Sequence, residues 1–244
     1  MSEDEFIYGR NALKELLERS PETVAKIYVK TGIRGESVNT VFTLASAHKI
    51  PLQQVPGKKL FDLVGAVNDQ GVVAQVSSRS YIEFEEWIET LNMKNNPLVL
   101  MLDEIEDPHN FGAILRTAAA CEVAGVIVPK HRQSPVNATV YKTSAGTADL
   151  VELIRVVNLN QTISQLKEAG FWICGLDQNA KTVYWKQKFD MPVVLVVGSE
   201  GSGIRKKTLE HCDFTVSIPM KKSVESLNAS VSTALICYEV VRQR

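Results

Sequence analysis

The chain has 244 residues, of which 45% are hydrophobic and 23% are charged, and its formal net charge is −1. This ordinary globular composition argues against a basic protein that coats nucleic acid without preference, although a local basic patch could still bind RNA. No apolar run approaches the roughly 20 residues that span a bilayer, and the acidic start MSEDEFIYGR lacks the apolar core of a signal peptide, so we expect a cytoplasmic protein.

The first 77 residues alternate between helical and strand patterns, which predicts a small α/β domain. We predict helices at residues 11–19, 36–48 and 58–64, and strands at residues 26–29, 52–55 and 71–76. Residues 78–96 are more polar, and we predict that they form a linker with one short helix.

A second α/β domain is predicted from residue 97 to residue 244. Its predicted strands are residues 98–102, 125–128, 171–176, 193–197 and 214–218. Its predicted helices are residues 111–121, 138–146, 159–169 and 229–242, with a short helix after Ile204. Because the strands are apolar throughout and alternate with helices, they indicate a largely parallel sheet that is buried on both faces.

One polar loop follows the strand at 193–197 and reads GSEGSG from Gly198 to Gly203. Its glycine spacing is not that of a dinucleotide-binding turn, and Glu200 stands where a phosphate would need bare backbone N–H groups. The loop therefore favours a ligand with hydroxyl groups over a phosphate. The alternative is a tight turn that uses glycine only for its backbone freedom.

Two further polar segments also follow buried strands, at residues 103–118 and 218–230. A helix cap at Ser226 or Asn228 explains only one polar residue of the second segment, and the surplus indicates a binding surface. In the first segment Asn110 could cap a helix, and Arg116 either reaches water or is held for a function. Since the carboxyl ends of parallel strands share one sheet edge, the three segments predict a common ligand site.

Other residue types with chemical potential show no such pattern. The four cysteines have no zinc-ligand spacing, so we predict buried thiols for three of them and no structural metal. We expect Trp172, Tyr184 and Trp185 to lie in the core or in an interface, in preference to forming a platform on which bases stack.

Three motifs in order resemble those of the SpoU (TrmH-like) branch of the SPOUT RNA methyltransferases. They are residues 107–118 (DPHNFGAILRTA), residues 197–203 (VGSEGSG), and residues 218–220 (IPM) followed by 226–234 (SLNASVSTA). Residues 8–12 (YGRNA) and 70–72 (QGV) are similar to the ribosomal-protein-like domain that precedes the catalytic domain in ribosomal RNA guanosine-2′-O-methyltransferases. Asp69 stands where that domain usually has histidine.

The resemblance implies an α/β fold with two parts. Residues 1–77 would be a ribosomal-protein-like RNA substrate-binding domain, residues 78–96 a linker, and residues 97–244 a SPOUT methyltransferase domain with a mostly parallel sheet and a C-terminal trefoil knot. It also implies S-adenosylmethionine as cofactor, no metal, and a homodimer with active sites at the subunit interface. The reaction would be methyl transfer to a ribose 2′-OH of RNA, with a guanosine of 23S ribosomal RNA as the expected substrate.

Site residues carry over from the same resemblance. The expected catalytic residues are Asn110, Arg116, Glu200 and Asn228. The expected cofactor-binding residues are Thr143, Ser144, Gly146, Gly175, Leu176, Gly198, Gly201, Ile218, Met220, Ser226 and Leu227. The expected RNA-binding residues are Arg10, Asn11 and Arg34.

Several alternatives stay open. The family's proposed base is Arg116, but a guanidinium is always protonated in proteins, so Glu200 is the other candidate and Arg116 would then bind phosphate. Transfer RNA is an alternative substrate. A non-catalytic RNA-binding or ribosome-assembly module would not need the full set of polar site residues, and the glycine spacing disfavours a nucleotide-dependent dehydrogenase.

Overall fold

The computed structural model describes residues 5–19, 21–76, 81–221 and 226–244, so residues 78–80 of the predicted linker lie outside the described residues. The chain folds in this order: β1 (Glu5–Tyr8), α1 (Arg10–Arg19), β2 (Val24–Lys30), α2 (Glu36–Ala47), β3 (Leu52–Val55), α3 (Gly57–Val64), β4 (Val72–Val76), α4 (Phe84–Thr90), β5 (Leu98–Asp103) and α5 (Pro108–Ala120). It continues with β6 (Gly125–Pro129), α6 (Ala138–Thr143), β7 (Leu153–Val156), α7 (Leu159–Glu168), β8 (Trp172–Leu176), β9 (Val193–Gly198), α8 (Lys206–Leu209), β10 (Phe214–Val216) and α9 (Ala229–Gln243). Among the described helices, none is both long and apolar enough to cross a membrane.

The chain divides into two units. The first unit comprises Met1–Ser80 and Val136–Asp149, and the second comprises Tyr81–Pro135 and Leu150–Arg244. The segment Val136–Asp149 was predicted to belong with residues 97–244, but α6 packs against β1 and α1 of the first unit. Val140, on the apolar side of this short helix, is fully buried, which accounts for the packing.

The first unit is built on a four-stranded sheet in the order β1-β4-β2-β3. Strand β3 pairs with β2 in parallel, and β4 pairs with both β1 and β2 in antiparallel orientation. Helices α1 and α2 pack against each other, as their amphipathic patterns require. The predicted strands and helices of this unit are present, and β1 is an additional edge strand that the sequence patterns did not predict.

The second unit is built on a six-stranded sheet in the order β10-β8-β9-β5-β6-β7. Every strand pair in it is parallel, as the apolar strands predicted. Strand β7 was not predicted, because its Arg155 interrupts the apolar run. The strands β10, β8, β9 and β5 are neighbours, so the loops that follow their carboxyl ends emerge side by side at one edge.

Part of the predicted linker belongs to the core of the second unit. Trp87 of α4 is 1% exposed, and its indole Nε1 donates to the carbonyl of Ala124 at 3.1 Å. A Cβ added to Gly125 would lie 2.7 Å from both Trp87 and Ile154, so the indole packs directly on the backbone of β6. Residues 81–96 are therefore structured, because their few apolar side chains recur at helical spacing on one face.

Candidate active site

Three polar side chains from three loops meet in the second unit. The Nδ2 of Asn110 donates to Oε1 of Glu200 at 2.8 Å, and the Nδ2 of Asn228 donates to Oδ1 of Asn110 at 2.7 Å. The Asn228 Nδ2 also donates to Glu200 Oε1, and the backbone N–H of Ala229 approaches the same oxygen at 3.3 Å. The predicted convergence of the loops after β5, β9 and β10 is therefore confirmed. The catalytic roles of the three residues stay predictions.

Asn110 is not the cap of its helix. The cap of α5 is Asp107, whose Oδ1 accepts from the N–H of His109 at 2.9 Å, with Pro108 in the first helical position. This arrangement leaves the Asn110 side chain free to turn toward Glu200, although only 7% of the residue is exposed. A buried amide whose two ends both bond to other polar side chains is held in one orientation.

Asn228 serves as a helix cap and as a site residue at once. Its Oδ1 accepts from the backbone N–H groups of Ser230 at 3.0 Å and Val231 at 3.2 Å, which fixes the first turn of α9. Its Nδ2 is left to bond Asn110 and Glu200. One side chain therefore serves both roles that the sequence suggested, the helix cap and a place in the site.

The loop that carries Glu200 folds back on itself. The N–H of Gly203 donates to the carbonyl of Ser199 at 2.9 Å, and the hydroxyl oxygens of Ser199 and Ser202 lie 2.7 Å apart. A Cβ on Gly198 would lie 2.0 Å from the carbonyl carbon of Gly203, so this position has no room for a side chain. Gly203 itself has a φ of +65°, which glycine adopts without strain.

A buried carboxylate anchors the far end of this loop. Asp103, at the end of β5, is fully buried and accepts from the backbone N–H of Arg205 at 3.0 Å and from its Nε at 2.7 Å. Glu104 adds a contact of 3.3 Å to the same guanidinium. The sequence interpretation missed both Asp103 and Arg205. A carboxylate that ends an otherwise apolar strand was the signal that could have revealed the anchor, because a buried charge needs a partner.

A cavity of about 740 Å³ opens beside the folded loop. Its lining includes seven of the predicted cofactor residues, namely Leu176, Gly198, Gly201, Ile218, Met220, Ser226 and Leu227. It also includes residues that the sequence interpretation did not select, among them Asp177, Asn179 and Lys206. The volume is in the range of small-molecule sites, about 300–1,000 Å³.

Four predicted cofactor residues do not line this cavity. Thr143, Ser144 and Gly146 lie in the segment Val136–Asp149, which belongs to the first unit. Gly175 is buried in β8, where an added Cβ would lie 3.0 Å from the Sγ of Cys212 and 3.0 Å from Leu209. Gly175 thus allows α8, whose Lys206 and Leu209 line the cavity, to pack closely on β8.

A second cavity of about 510 Å³ also borders Glu200. It is lined by Asn110 and by the acidic residues Glu104, Glu106 and Asp107. Glu200, Ser199, Gly201, Ser202 and Ala229 line both cavities. Glu200 therefore borders two places where ligands could bind.

Arg116 is not part of the Asn110–Glu200–Asn228 cluster. It is exposed on α5, and no hydrogen bond or ion pair joins it to another described residue. It follows Asn110 by six positions on the helix, so the two side chains point to different faces. The resemblance implied that Arg116 is a catalytic residue. Within one chain, however, its guanidinium lies apart from Asn110, Glu200 and Asn228.

The predicted RNA-binding residues lie in the first unit. Arg10 and Asn11 line a polar cavity of about 820 Å³, together with Lys30, Ser37 and residues 67–71. The Nε of Arg10 donates to the carbonyl of Gln70 at 3.1 Å, and its Nη1 donates to Ser37 at 3.2 Å, so the guanidinium is held in place. Arg34 is exposed and is not among the lining residues.

Two thiols of the second unit, Cys174 and Cys212, are not suited to nucleophilic catalysis. Cys121, Cys174 and Cys237 are buried, which confirms the prediction for three of the four cysteines. Burial raises the pKa of Cys174 well above its usual range and that of Cys212 to about 12, so both are protonated at neutral pH. Among the residues that the structure describes, no group of histidine, cysteine and carboxylate side chains could hold a metal ion.

The matches to known proteins extend over nearly the whole chain and agree on one family. Residues 97–238 match the model of the SpoU rRNA methylase family, and residues 6–82 match that of RNA 2′-O ribose methyltransferase substrate binding. The chain is 40% identical over 241 residues to RlmB of Vibrio parahaemolyticus, a 23S rRNA (guanosine-2′-O-)-methyltransferase, and the match covers 99% of this chain and 98% of that protein. It is 42% identical over 243 residues to a Staphylococcus haemolyticus protein assigned to the TrmH family of tRNA/rRNA methyltransferases, with 99% and 97% covered.

A solved structure shares the fold. The SpoU methyltransferase AviRb from Streptomyces viridochromogenes, in complex with AdoMet, superposes with a TM-score of 0.82. The superposition covers 99% of this chain and 90% of that chain at 24% identity.

Proposed function

The chain belongs to the SpoU rRNA methylase family, and from that premise we propose that it transfers a methyl group from S-adenosylmethionine to the ribose 2′-OH of a guanosine in 23S ribosomal RNA. The observation that carries the proposal is the position of Glu200. Glu200 borders two cavities, and its carboxylate is held by the side-chain amides of Asn110 and Asn228. A group that takes a proton during transfer between two bound molecules needs such a position.

The larger cavity fits S-adenosylmethionine by the chemistry of its lining. Leu176, Ile218 and Leu227 offer apolar contacts for an adenine ring, and the carboxylate of Asp177 offers an acceptor for hydroxyl or ammonium groups. Lys206 offers a positive charge for a carboxylate. When bound, the cofactor supplies a methyl group that is carried on a positively charged sulfur. Because this sulfur leaves readily as a neutral thioether, methyl transfer needs no metal.

We assign Glu200 as the base that accepts the proton of the ribose 2′-OH. Its Oε1 accepts from Asn110, Asn228 and Ala229, whereas Oε2 accepts from no other described residue. One oxygen is thus used for positioning and the other is left to bond the hydroxyl. Holding the base in place before the substrate arrives supplies part of the acceleration, because no side chain has to be reoriented during reaction.

Arg116 is assigned to the RNA phosphate and not to proton transfer, since a guanidinium keeps its protons. The second cavity is lined by four carboxylates, Glu104, Glu106, Asp107 and Glu200, and would repel a phosphate by itself. The exposed Arg116 makes no contact there in its own chain, so we assign it to the cavity of a second copy. A homodimer whose active sites lie at the subunit interface meets this requirement.

The last helix offers the surface for such a homodimer. Val231, Leu235, Tyr238 and Val241 of α9 are between 38% and 55% exposed. They follow each other at intervals of three or four residues and therefore form one apolar stripe. A contiguous apolar stripe on a helix is typical of a surface covered by a partner, and two-fold dimers are the commonest case.

Selection of the RNA is assigned to the first unit, that is, to the ribosomal-protein-like domain predicted for residues 1–77. Its polar cavity combines Arg10, Lys30 and backbone groups of the 67–71 loop, which suits a phosphate and an unpaired base. The second unit, which includes α4, is the proposed methyltransferase domain, and the C-terminal knot stays a prediction from the resemblance. The proposed location is the cytoplasm.

The test is transfer of a tritiated methyl group from S-adenosylmethionine to ribosomal and transfer RNA, each purified separately, followed by mapping of the modified nucleotide. We expect labelled 2′-O-methylguanosine in 23S RNA. Labelled transfer RNA alone would favour the alternative substrate, and cofactor binding without transfer to either RNA would favour a non-catalytic RNA-binding module. The Arg116→Ala variant should bind the cofactor normally and lose at least about 100-fold in transfer rate.

A further inference from the structure

The segment between β8 and β9 displays an aromatic pair on the surface of the second unit. Trp185 is 51% exposed, and Tyr184 packs against it edge-on with ring centroids 5.0 Å apart. Both lie in a single 3₁₀ turn, Tyr184–Lys186. From the sequence we predicted that these rings lie in the core or in an interface. For Trp185, the prediction of a core position is wrong. A single exposed ring is common on protein surfaces, so a function for Trp185 depends on the residues around it.

The same segment is positively charged. Lys181, Lys186 and Lys188 are all exposed, and the acidic residues of the segment, Asp177 and Asp190, stand outside the stretch that carries the lysines and the rings. None of the three lysines forms an ion pair with another described residue. An exposed tryptophan among unpaired lysines is the combination that binds single-stranded nucleic acid, where bases stack on the ring and phosphates lie against the cations.

The aromatic turn is fixed to its surroundings by hydrogen bonds on both sides. Ser217 donates its N–H to Thr182 at 2.8 Å, and its carbonyl accepts from Tyr184 at 3.0 Å. Beyond the turn, Phe189 is fully buried and its N–H donates to Oε1 of Gln243 at 2.9 Å. The indole is therefore exposed from a segment that is held in place, so a base can stack on it without ordering the backbone first.

This segment also leads directly from the cofactor cavity. Its first residues, Asp177 to Asn179, line the cavity. Ser217, which bonds both Thr182 and Tyr184, is followed by Ile218, another lining residue. The aromatic turn is thus connected to the cavity along the chain through residues 177–179 and by the two hydrogen bonds of Ser217.

We propose that Trp185, supported by Tyr184 and flanked by Lys181, Lys186 and Lys188, is a stacking site for an unpaired base of the RNA substrate near the target nucleotide. The inference rests on the proposed function, which makes RNA the substrate. A second copy of the chain is the other possible occupant. The lysines favour RNA, because lysine is depleted in the cores of protein interfaces, and the apolar stripe of α9 contains none.

The test uses the full-length protein without cofactor and a short single-stranded oligoribonucleotide as probe. Trp172 supplies a matched control, because it is also 51% exposed but stands at the opposite, amino end of β8. Trp185→Ala should weaken binding by about 5- to 150-fold, which corresponds to the usual contribution of one stacked base. Trp172→Ala should leave binding unchanged, and Lys186→Gln should lower the salt dependence of binding by about one unit of slope.

Tryptophan fluorescence gives a readout that a merely structural role would not change. RNA should quench the emission of wild type and of Trp172→Phe, and this quenching should be lost in Trp185→Phe, which retains part of the affinity through its smaller ring. Unchanged affinity in Trp185→Ala, or an equal loss in Trp172→Ala, would overturn the proposal. So would dissociation of Trp185→Ala into a smaller species in sedimentation, which would assign the ring to an interface between copies.

Failure of this proposal is distinguishable from failure of the proposed function. Methyl transfer by the wild-type protein is recorded separately from RNA binding. If wild type methylates RNA and Trp185→Ala binds RNA equally well, only the stacking site is refuted. If wild type never methylates RNA but the quenching depends on Trp185, the stacking site is upheld and the catalytic proposal is refuted.

Discussion

The Gly198→Ala substitution adds one methyl group at the point where the Glu200 loop closes on itself. The new Cβ would lie 2.0 Å from the carbonyl carbon of Gly203 and 2.2 Å from its oxygen and from the nitrogen of Ile204. All three atoms are backbone, so no side-chain rotation can relieve the overlap. The two arms of the loop must separate until these distances exceed 3.0 Å, the lower limit of real Cβ contacts.

Overpacking of this kind costs about 1–3 kcal/mol when the surroundings can shift, and more when they cannot. Because the affected loop forms a wall of the cofactor cavity and carries Glu200, we expect the cost to appear in ligand binding. A loss of about 1.4 kcal/mol weakens binding tenfold, so S-adenosylmethionine should bind about 5- to 150-fold more weakly. The loop opening should also lower the melting temperature by about 2–4 °C for each kcal/mol.

Gly201→Ala is the matched control for stability. It adds the same methyl group to the same loop, where a Cβ would meet no atom within 4 Å. Its melting temperature should equal that of wild type. Calorimetric titration of cofactor into both variants, with thermal unfolding in parallel, checks the prediction. Wild-type cofactor affinity and melting temperature in Gly198→Ala would refute the close approach of the loop arms.

Three further outcomes are expected. Glu200→Gln should retain cofactor binding but slow single-turnover methyl transfer by about 100-fold or more, and a wild-type rate with a flat pH profile would remove Glu200 as the base. Leu235→Glu places a charge in the apolar stripe of α9 and should shift the protein to monomer in sedimentation, unless no dimer forms through that stripe. Hydrogen bonds from Arg242 and Gln243 lower the pKa of Glu239 to about 2, so its carboxylate stabilises the fold above about pH 4.5 and loses that effect as the pH falls toward 2. The melting-temperature difference between wild type and Glu239→Gln should therefore be largest at neutral pH and shrink over that acidic range.

The strand ends of the second unit could be predicted because their residues are apolar without interruption. Wholly buried strands have an unambiguous pattern, and the parallel sheet then dictates that the loops after β5, β9 and β10 meet at one edge. That rule predicted that the three segments meet, and the resemblance singled out Asn110, Glu200 and Asn228 within them. These side chains do lie close together. For these three loops, the apolar pattern of the strands is therefore enough to predict where the loops lie in the folded protein.

Other features were not predicted from local patterns. The side chain of Asn110 was equally compatible with a helix cap, and only the presence of Asp107 three positions earlier decides against it. The packing of Val136–Asp149 with the first unit is a choice between two apolar surfaces. The separation of Arg116 from the other three site residues follows from the helical phase of α5 once the Asn110 face is fixed. Of these outcomes, the placement of Val136–Asp149 is the one that residue spacing does not reveal.

The pairing of Asp103 with Arg205 likewise could not be predicted from a local sequence pattern. A buried aspartate at the end of β5 is unfavourable unless a partner is brought to it, and that partner lies 102 positions later in the sequence. Both the backbone N–H and the guanidinium of Arg205 bond to its two oxygens. The fold therefore uses one charge to fix the loop that carries Glu200.

The packing of Trp87 on Gly125 restricts how this protein can be recombined with its relatives. Because α4 belongs to the core of the methyltransferase unit, a chimera that exchanges the RNA-selecting part must join upstream of Tyr81. A junction placed at Pro97, where the family match begins, would remove the indole and leave the backbone of β6 uncovered. A graft that carries a new RNA specificity must thus end before α4 and must retain a surface at β1 and α1 on which α6 can pack.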